Sequence, residues 1–340
     1  MGSTIADVAA RAGVSKATAS RALSGKGYVA ESTRQRVLQA VKEIGFVASP
    51  NAAGLVTGHT KNIGVVTPFI SRWFFGATLE GIEESLLDHG YDMTLCHLHP
   101  DSAQRGLVFD FYLARKRFDG VILIGVDPTP DETTRLLRLG IPIISVGTPV
   151  AGIRSLTIDD VGAARLATEH LLRLGHRSIL HIGGEITGDD DQSVNAQRLT
   201  GYRQAMAAAG LSGGARSAHA LSVPGGYDSG TLALCDPGAR PTAVFAVCDE
   251  VAIGVMIAAR RIGVRVPDDL SVIGIDGHDY AEMFSLTTIE QNPRRQGESA
   301  VTDLLHAVSG EPADVDVVDM PARLVVRAST GPAGLRADAV

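Results

Sequence analysis

The stretch TIADVAARAGVSKATASRAL, residues 4–23, encodes two short helices joined by a tight turn. Thr4 and Ser15 are residue types that cap helix N-termini, and Gly13 between them can adopt the positive φ that a tight turn requires. Small and apolar residues fall on one face of each helix, at Val8, Ala9, Ala12, Ala19, Ala22 and Leu23. These faces can pack closely, with Val14 beneath the turn, so the spacing predicts a helix-turn-helix.

A third helix, from about residue 32 to 44 and ending at Gly45, is predicted to cover the first two. The second helix then turns outward a set of short polar and basic side chains, at Lys16, Ala17, Thr18, Ser20 and Arg21. Side chains of these types can enter the major groove of DNA. A three-helix bundle that binds another protein would share the apolar spacing, but this outward face has no apolar anchor. The pattern therefore favours DNA binding.

Charge is distributed unevenly along the chain. Residues 1–60 carry seven Lys or Arg and three Asp or Glu, a net charge of +4, whereas the whole chain of 340 residues has a net charge of −7. The rest of the chain therefore carries −11. A small basic head on a large acidic body indicates that the head meets a polyanion and that the body meets something else. On charge alone, a solvated helical face would explain the basic head equally well.

Composition argues against several classes of protein. No apolar run reaches the roughly 20 residues of a membrane span, and no secretion signal is recognisable. Cys96, Cys235 and Cys248 are odd in number and widely spaced, so we expect free thiols in a cytoplasmic protein. Cys96, His97 and His99 are close in sequence, but in a strand His97 would point away from the other two. We therefore predict no bound metal and no membrane partner.

The body alternates short β-branched runs with stretches of helical period. The runs are residues 62–70, 90–98, 119–126 and 141–147, followed by a second series at residues 178–184, 242–248 and 270–277. Residues 76–90 show the helical half, with Leu79, Ile82, Leu86 and Leu87 on one stripe. Two such series predict two Rossmann-like lobes, each a parallel sheet covered by helices. Ligands of these folds bind at the carboxyl ends of strands, which places a ligand between the lobes.

The head resembles the headpiece of the LacI/GalR family of bacterial transcription regulators. The resemblance runs through all three predicted helices, in TIADVAARAGVSKATASRALSG and YVAESTRQRVLQAVKEIGF. It implies that Lys16, Ala17 and Arg21 read bases, where Arg21 can pair bidentately with guanine and Ala17 offers only a methyl group. Further DNA contacts that it implies, to phosphates or flanking bases, are Thr4, Ser15, Thr18, Ser20, Ser24, Tyr28 and Thr33.

The segment VASPNAAGLVTGHT, residues 47–60, joins head to body. Ser49 and Pro50 fit the start of a helix that is too short to be stable alone in water. In the LacI/GalR family two such hinge helices form in the minor groove and a leucine wedges between base pairs; Leu55 matches that leucine. Pro50 lies two residues later than the proline that is common in the hinge of this family, and Ala53 stands where the family frequently has arginine. The alternative is that these residues form a Gly/Ala linker without a hinge helix.

The body resembles the periplasmic-binding-protein-like core of the same family, in DGVILIG, RLTGYRQAMAAAG, PTAVFAVCDEVAIG and VPDDLSVIGIDG. The predicted fold is therefore α/β, with two Rossmann-like lobes behind an N-terminal all-α helix-turn-helix domain. The expected domains are a headpiece (1–46), a hinge (47–60), a two-lobed effector-binding and dimerisation core (61–330) and a flexible tail (331–340). Within the core we expect lobe 1 at about 61–157 and 290–319, and lobe 2 at about 158–289 and 320–330.

The resemblance also implies a small-molecule site in the cleft. Phe74 and Phe75 match paired phenylalanines whose rings stack on a pyranose or a base. Arg198 matches an arginine that donates to ligand hydroxyls, and Asp276 matches an acid that accepts from them. The alternatives are ordinary packing for the rings, a surface salt bridge for Arg198 and a turn cap for Asp276. Cys248 replaces an asparagine that is common in the family, so the ligand itself is left open.

Together these features predict a sequence-specific regulator of transcription, a repressor that binds double-stranded operator DNA as a homodimer in the cytoplasm, at the nucleoid. A small molecule, a sugar, would bind between the lobes and control operator affinity. Three alternatives stay open: an effector-independent regulator, a co-repressor-dependent regulator that responds to a nucleobase or other metabolite, and a sugar-binding protein without regulatory role. No phosphate loop or G-x-S-x-G elbow is present, so we predict neither an enzyme nor a cofactor.

Overall fold

The computed structural model describes residues 3–24, 27–46, 59–98, 105–109, 113, 117–184, 193–217, 220–311 and 315–334. The chain divides into two compact units, Met1–Asn62 with Arg117–Asp119, and Ile63–Lys116 with Gly120–Val340. Most of the predicted hinge, including Leu55, lies outside the described residues.

In its described residues the first unit contains three helices, α1 (Ile5–Ala12), α2 (Lys16–Ser24) and α3 (Glu31–Ile44). Thr4 caps α1 through a capping box with Asp7, and Gly13 ends the helix in the left-handed conformation, with φ 66°. Seven small or apolar residues form the buried core, Val8, Ala9, Ala12, Ala19, Ala22, Val37 and Ala40. The predicted helix-turn-helix is confirmed.

The second unit contains two six-stranded sheets with the strand orders β11-β5-β4-β3-β1-β2 and β12-β10-β9-β8-β6-β7. The strands are β1 (Asn62–Thr67), β2 (Asp92–His97), β3 (Gly120–Ile124), β4 (Ile143–Val146), β5 (Arg154–Thr157), β6 (Ile179–Gly183), β7 (Gly214–Ser217), β8 (Ala243–Ala246), β9 (Ser271–Asp276), β10 (Thr287–Glu290), β11 (Val317–Asp319) and β12 (Arg323–Val325). The helices are α4 (Trp73–Asp88), α5 (Arg105–Leu107), α6 (Pro130–Arg138), α7 (Asp160–Arg173), α8 (Val194–Ala208), α9 (Val223–Leu234), α10 (Asp249–Arg261) and α11 (Pro293–Val308), with a 3-10 turn at Asp279–Ala281.

Each sheet is the centre of one lobe, and the predicted α/β fold class is confirmed. Lobe 1 is built on the first sheet and lobe 2 on the second, where β12 runs antiparallel to β10 at the edge. The chain passes between the lobes three times: from β5 to α7, from β10 to α11, which packs on α4 of lobe 1, and from β11 to β12. Parallel pairing aligns the carboxyl ends of β3 and β4 in lobe 1, and of β8 and β9 in lobe 2. These ends border the cleft.

One expectation from the sequence is wrong. The apolar spacing predicts Leu87 on the buried stripe of α4, but its relative exposure is 68%, whereas Leu79, Ile82 and Leu86 are buried. At the start of the predicted tail, the Gly331 N–H donates to Ser271 Oγ (3.1 Å) and the Ala333 N–H donates to the Leu174 carbonyl (2.8 Å). No helix in the described ranges is long and apolar enough to cross a membrane.

Candidate functional site

Helix α2 is anchored by one face and presents the other to solvent. Ala19 and Ala22 are buried, while Lys16, Ala17 and Arg21 are exposed. Among the other predicted contacts, Ser15, Ser24 and Tyr28 are exposed and Thr18, Ser20 and Thr33 are half-buried. The small buried alanines let α2 pack closely against its neighbours, and the opposite face carries short polar and basic side chains.

The stem of Arg21 lies over Gly27. The Cδ atom of Arg21 is 3.4 Å from the point that a Cβ at Gly27 would occupy, and Gly27 has a φ of +83°. A side chain at position 27 would therefore come within van der Waals distance of the Arg21 stem.

Some predicted contact residues also have local structural roles. The Thr4 hydroxyl donates to Asp7 Oδ2 (2.8 Å) in the α1 capping box, and Ser15 Oγ accepts from the Thr18 N–H (3.1 Å) at the start of α2. Glu43 accepts a side-chain hydrogen bond from Gln39 and pairs with the Arg11 guanidinium between α1 and α3, and these two contacts hold the pKa of its carboxyl below the usual value. The bond between Ser15 and Thr18 marks the start of α2 and so determines which side chains lie in its first turn.

A cavity of about 540 Å³ opens between the lobes. Phe74, Phe75, Arg198 and Asp276 all line it, so the structure brings together the four residues that the sequence singled out for this cleft. Among the described lining residues, lobe 1 contributes the three aromatic rings and lobe 2 contributes most of the charged and polar groups. The cavity therefore has an apolar wall facing a polar one, as small-molecule sites commonly do.

The apolar wall depends on two glycines at strand ends. The rings of Phe74 and Phe75 meet edge to face, with centroids 5.4 Å apart, and Phe69 meets Phe75 at 5.3 Å. Gly125, after β3, would place a Cβ 2.7 Å from Phe75, and Gly147, after β4, would place one 3.2 Å from Phe74. Both glycines have positive φ, so they allow the rings to lie against the ends of the sheet. Phe69 was not predicted from the sequence.

On the polar wall, Arg198 is buried and fixed by two bonds. Its Nε donates to Asp160 Oδ1 (2.7 Å) and its Nη1 to the Val247 carbonyl (2.6 Å). Asp276 Oδ1 lies 3.8 Å from Nη1. These bonds hold the guanidinium plane in place, and within the described part of the chain Nη2 has no bond, so it can donate to a ligand.

Asp276 ends β9 in a conformation that side chains rarely adopt, with φ 139°. Its Oδ1 accepts from Gln291 Nε2 (2.6 Å). Burial raises the pKa of Asp276 above the usual range, and the nearby Arg198 guanidinium opposes that rise. The carboxyl group is thus held at the cleft, with one oxygen already bonded.

Asp249, at the start of α10, holds the turn that follows Asp276. Its fully buried carboxylate accepts from the backbone N–H groups of Gly277 (2.9 Å) and His278 (2.8 Å) and from the Thr288 hydroxyl (2.7 Å). These bonds offset the strain at Asp276 and fix its position. Sequence reasoning missed this role, although the pair Asp249-Glu250 directly after a strand is the pattern that could have indicated it.

Arg72 and Trp73 reach across the cleft from lobe 1 to lobe 2. Arg72 Nη1 donates to the Leu221 carbonyl, and Trp73 Nε1 donates to Asp279 Oδ2 (2.9 Å). The Trp73 ring also stacks on His278, with centroids 4.8 Å apart. Neither contact is predicted by the sequence, in which their only trace is the tryptophan of SRWFFG.

The chain is similar to known regulators along nearly its whole length. Residues 4–49 match bacterial regulatory proteins, lacI family, and residues 168–330 match the periplasmic binding protein-like domain. The HTH-type transcriptional regulator DegA of Bacillus subtilis (strain 168) is 34% identical over 343 residues, covering 98% of this chain and 99% of DegA.

Two solved structures extend the comparison. The lac repressor dimer bound to operator and the anti-inducer ONPF has a TM-score of 0.86 at 25% identity, covering 97% of this chain and 100% of that one. A complex of the transcriptional regulator CelR with cellobiose has a TM-score of 0.69 at 27% identity, covering 96% and 99%.

Proposed function

This chain belongs to the LacI family of bacterial regulatory proteins, and from that membership we propose that it is a homodimeric repressor whose affinity for operator DNA is controlled by a sugar. It is a DNA-binding regulator with an effector-binding core, and we place it in the cytoplasm with the bacterial chromosome. One observation carries the choice of effector: Phe74, Arg198 and Asp276, from three separate segments, line one cavity.

On the DNA side, we propose that α2 lies in the major groove. Lys16, Ala17 and Arg21 would read bases there, because all three are exposed along one side of the helix. The flanking polar residues named above would contact phosphates and set the register of the helix on the duplex. The hinge would form in the minor groove, with Leu55 as the wedge.

On the effector side, the two walls of the cavity suit a sugar ring. A pyranose has an apolar face that can stack on Phe74 or Phe75 and a rim of hydroxyls that can both donate and accept. Arg198 Nη2 would donate to one hydroxyl and the Asp276 carboxylate would accept from another. CelR, which is similar in fold, binds cellobiose in its solved complex.

The two sites would be coupled through the lobes. A ligand that contacts Phe74 on lobe 1 and Arg198 on lobe 2 favours one relative position of the lobes, and that position sets the separation of the two hinge segments in a dimer. Coupling of this kind is typically worth about 1–3 kcal/mol. We expect the sugar to lower operator affinity.

The test begins with an operator selected by the full-length protein from random DNA duplexes. Its affinity is then measured by fluorescence anisotropy with and without each member of a panel of sugars and nucleobases, and melting temperatures are recorded for the same panel. We expect a selected consensus with two-fold symmetry, and one sugar that both raises the melting temperature and weakens operator binding.

Other outcomes would contradict the proposal in distinct ways. If a nucleobase acts and no sugar does, the effector class is wrong. If no compound changes operator affinity, the regulator is effector-independent. If sugars bind but no duplex is selected, the protein binds sugars without regulating DNA.

A further inference from the structure

Gln291 lies beside Asp276, at the point where the chain crosses from β10 to α11. Its backbone N–H donates to the Asp276 carbonyl (3.3 Å), and its side-chain Nε2 donates to Asp276 Oδ1 (2.6 Å). Among the described residues, Asp276 Oδ2 has no hydrogen bond. An N–H donor stabilises a carboxylate more than it stabilises the protonated acid. Gln291 therefore favours the ionised form of Asp276 and engages only one of its two oxygens.

A second buried amide, Gln296 in the first turn of α11, fixes the amide of Gln291. Gln296 Nε2 donates to Gln291 Oε1 (3.2 Å) and to the Gln291 backbone carbonyl (2.8 Å). A primary amide can turn either its oxygen or its nitrogen towards a neighbour. Because Gln291 Oε1 already accepts from Gln296, the nitrogen is the atom that faces Asp276.

Packing alone does not account for an amide at position 296. The side chain is buried, and its Oε1 atom has no hydrogen-bond partner within the described part of the chain. A buried acceptor without a partner costs stability, whereas an apolar side chain of similar size would fill the same space without that cost. The two bonds to Gln291 are what an amide provides here and an apolar side chain cannot.

The environment of Asp276 contains influences of both signs on its ionisation. The titratable and charged groups around it are Arg198 of α8 and, at the start of α10, Cys248, Asp249 and Glu250. Burial raises the pKa of Asp276, Arg198 and the Gln291 bond oppose the rise, and Asp249 and Glu250 add to it. Burial also raises the pKa of the Cys248 thiol, which keeps that group neutral. With these influences opposed, a single hydrogen bond can shift the balance between acid and carboxylate.

We propose that Gln291 is a positioning residue that holds Asp276 as a carboxylate and leaves Oδ2 for a ligand hydroxyl, and that Gln296 keeps the Gln291 amide in the orientation that does so. The hydroxyl rests on the proposed function, which this inference deepens. Gln296 is not among the residues that line the cavity, so it would act on a ligand through Gln291 and Asp276.

The test is a carbon-13 NMR titration of the full-length protein without added sugar, with aspartate labelled at the side-chain carboxyl carbon. The Asp276 signal is identified by its absence from Asp276→Asn. Gln291→Met removes the donor but keeps the length of the side chain, so the Asp276 midpoint should rise by about one pH unit.

Two further variants complete the titration. Gln296→Met leaves the donor in place but frees the amide to turn its oxygen towards a protonated Asp276, so the midpoint should rise by a smaller amount, about half a pH unit. Gln204→Met makes the same exchange at an exposed position of α8 and should titrate like wild type. Chemical denaturation of each variant measures stability separately, because a merely structural role would lower stability and leave the midpoint unmoved.

An Asp276 midpoint equal to that of wild type in folded Gln291→Met overturns the proposal. A midpoint that rises in Gln291→Met but not in Gln296→Met overturns the role of Gln296. Should Gln291→Met not fold, Gln296→Met decides alone, since an unmoved midpoint there contradicts the proposed pair. The titration needs no sugar, so the expected shifts in a protein that binds no sugar would contradict only the proposed function.

Discussion

Trp73 of lobe 1 stacks on His278 of lobe 2, with ring centroids 4.8 Å apart and planes inclined by 25°. Its indole N–H also donates to Asp279 Oδ2 across the same gap (2.9 Å). Trp73 is the only tryptophan in the sequence. Any change in the separation of the lobes at this point therefore alters the surroundings of the only indole.

Trp73 emission should consequently report effector binding. We expect a saturable change in intensity or wavelength during a sugar titration. Trp73→Phe keeps an aromatic ring but removes the bond to Asp279, so effector affinity should fall roughly two- to tenfold, the loss of one hydrogen bond. Calorimetry measures that affinity independently of the fluorophore. Unchanged emission at saturating effector would show that the lobes do not move at Trp73.

Arg198→Ala should leave operator affinity nearly intact and abolish the effector's influence on it, because the hydroxyl that loses a charged donor forfeits about 1.5–3 kcal/mol. It also leaves the Asp160 carboxylate buried and unpaired, which should lower the free energy of unfolding by about 3–5 kcal/mol. Operator anisotropy with and without effector, and chemical denaturation, measure the two effects.

Two companion variants separate those effects. The double variant Arg198→Ala/Asp160→Ala removes both charges. It should be more stable than Arg198→Ala, and its operator affinity should likewise not respond to the effector. Arg165→Ala removes an exposed arginine of α7 and should behave like wild type. An Arg198→Ala protein that is folded and still responds to effector would place the ligand elsewhere.

The pH dependence of sugar binding should follow Asp276. Because burial raises the pKa of Asp276, the carboxyl stays protonated over a wider acidic range, and raising the pH through that raised pKa creates the carboxylate that accepts from hydroxyls. Affinity for a neutral sugar should therefore increase with pH. The free protein should change in the opposite direction, losing stability as pH rises through the same range, since the folded state binds the extra proton. Asp276→Asn should flatten both profiles, which calorimetry and denaturation at several pH values can check.

Arg21→Ala should weaken operator binding by roughly 1–3 kcal/mol and relax discrimination at one base pair, because it removes a bidentate contact with guanine. Lys42→Ala, in the last turn of α3, removes one positive charge from the same unit and is the matched control. Anisotropy on the operator, on single-base variants and on random duplex measures both. Equal losses on operator and random DNA would identify Arg21 as a phosphate contact.

Leu55→Ala should reduce specific affinity and spare nonspecific affinity. Wedging needs a formed hinge helix and a kinked base step, whereas nonspecific binding depends mainly on counterion release. The ratio of operator to random-DNA affinity, measured at several salt concentrations, is the readout. A ratio equal to that of wild type would rule out the wedge.

The local architecture can be predicted from the sequence alone. The cap at Thr4, the turn at Gly13 and the spacing of alanines predict α1 and α2 because each depends on residues within a few positions of one another. The alternation of β-branched and helical runs predicts two α/β lobes for the same reason. Resemblance to the LacI/GalR family then pointed to Phe74 and Arg198.

What lies opposite those residues depends on contacts between distant segments of the chain. Asp249 holds a turn 28 residues away, and Trp73 bonds to Asp279, 206 residues away and in the other lobe. Leu87 matches the apolar period of α4 yet lies exposed. Periodicity predicts which residues share one face of a helix or strand. What that face packs against depends on how the helices pack on the sheets and how the lobes meet. Those arrangements are set by packing and hydrogen bonds between segments far apart in the chain, which local spacing does not encode.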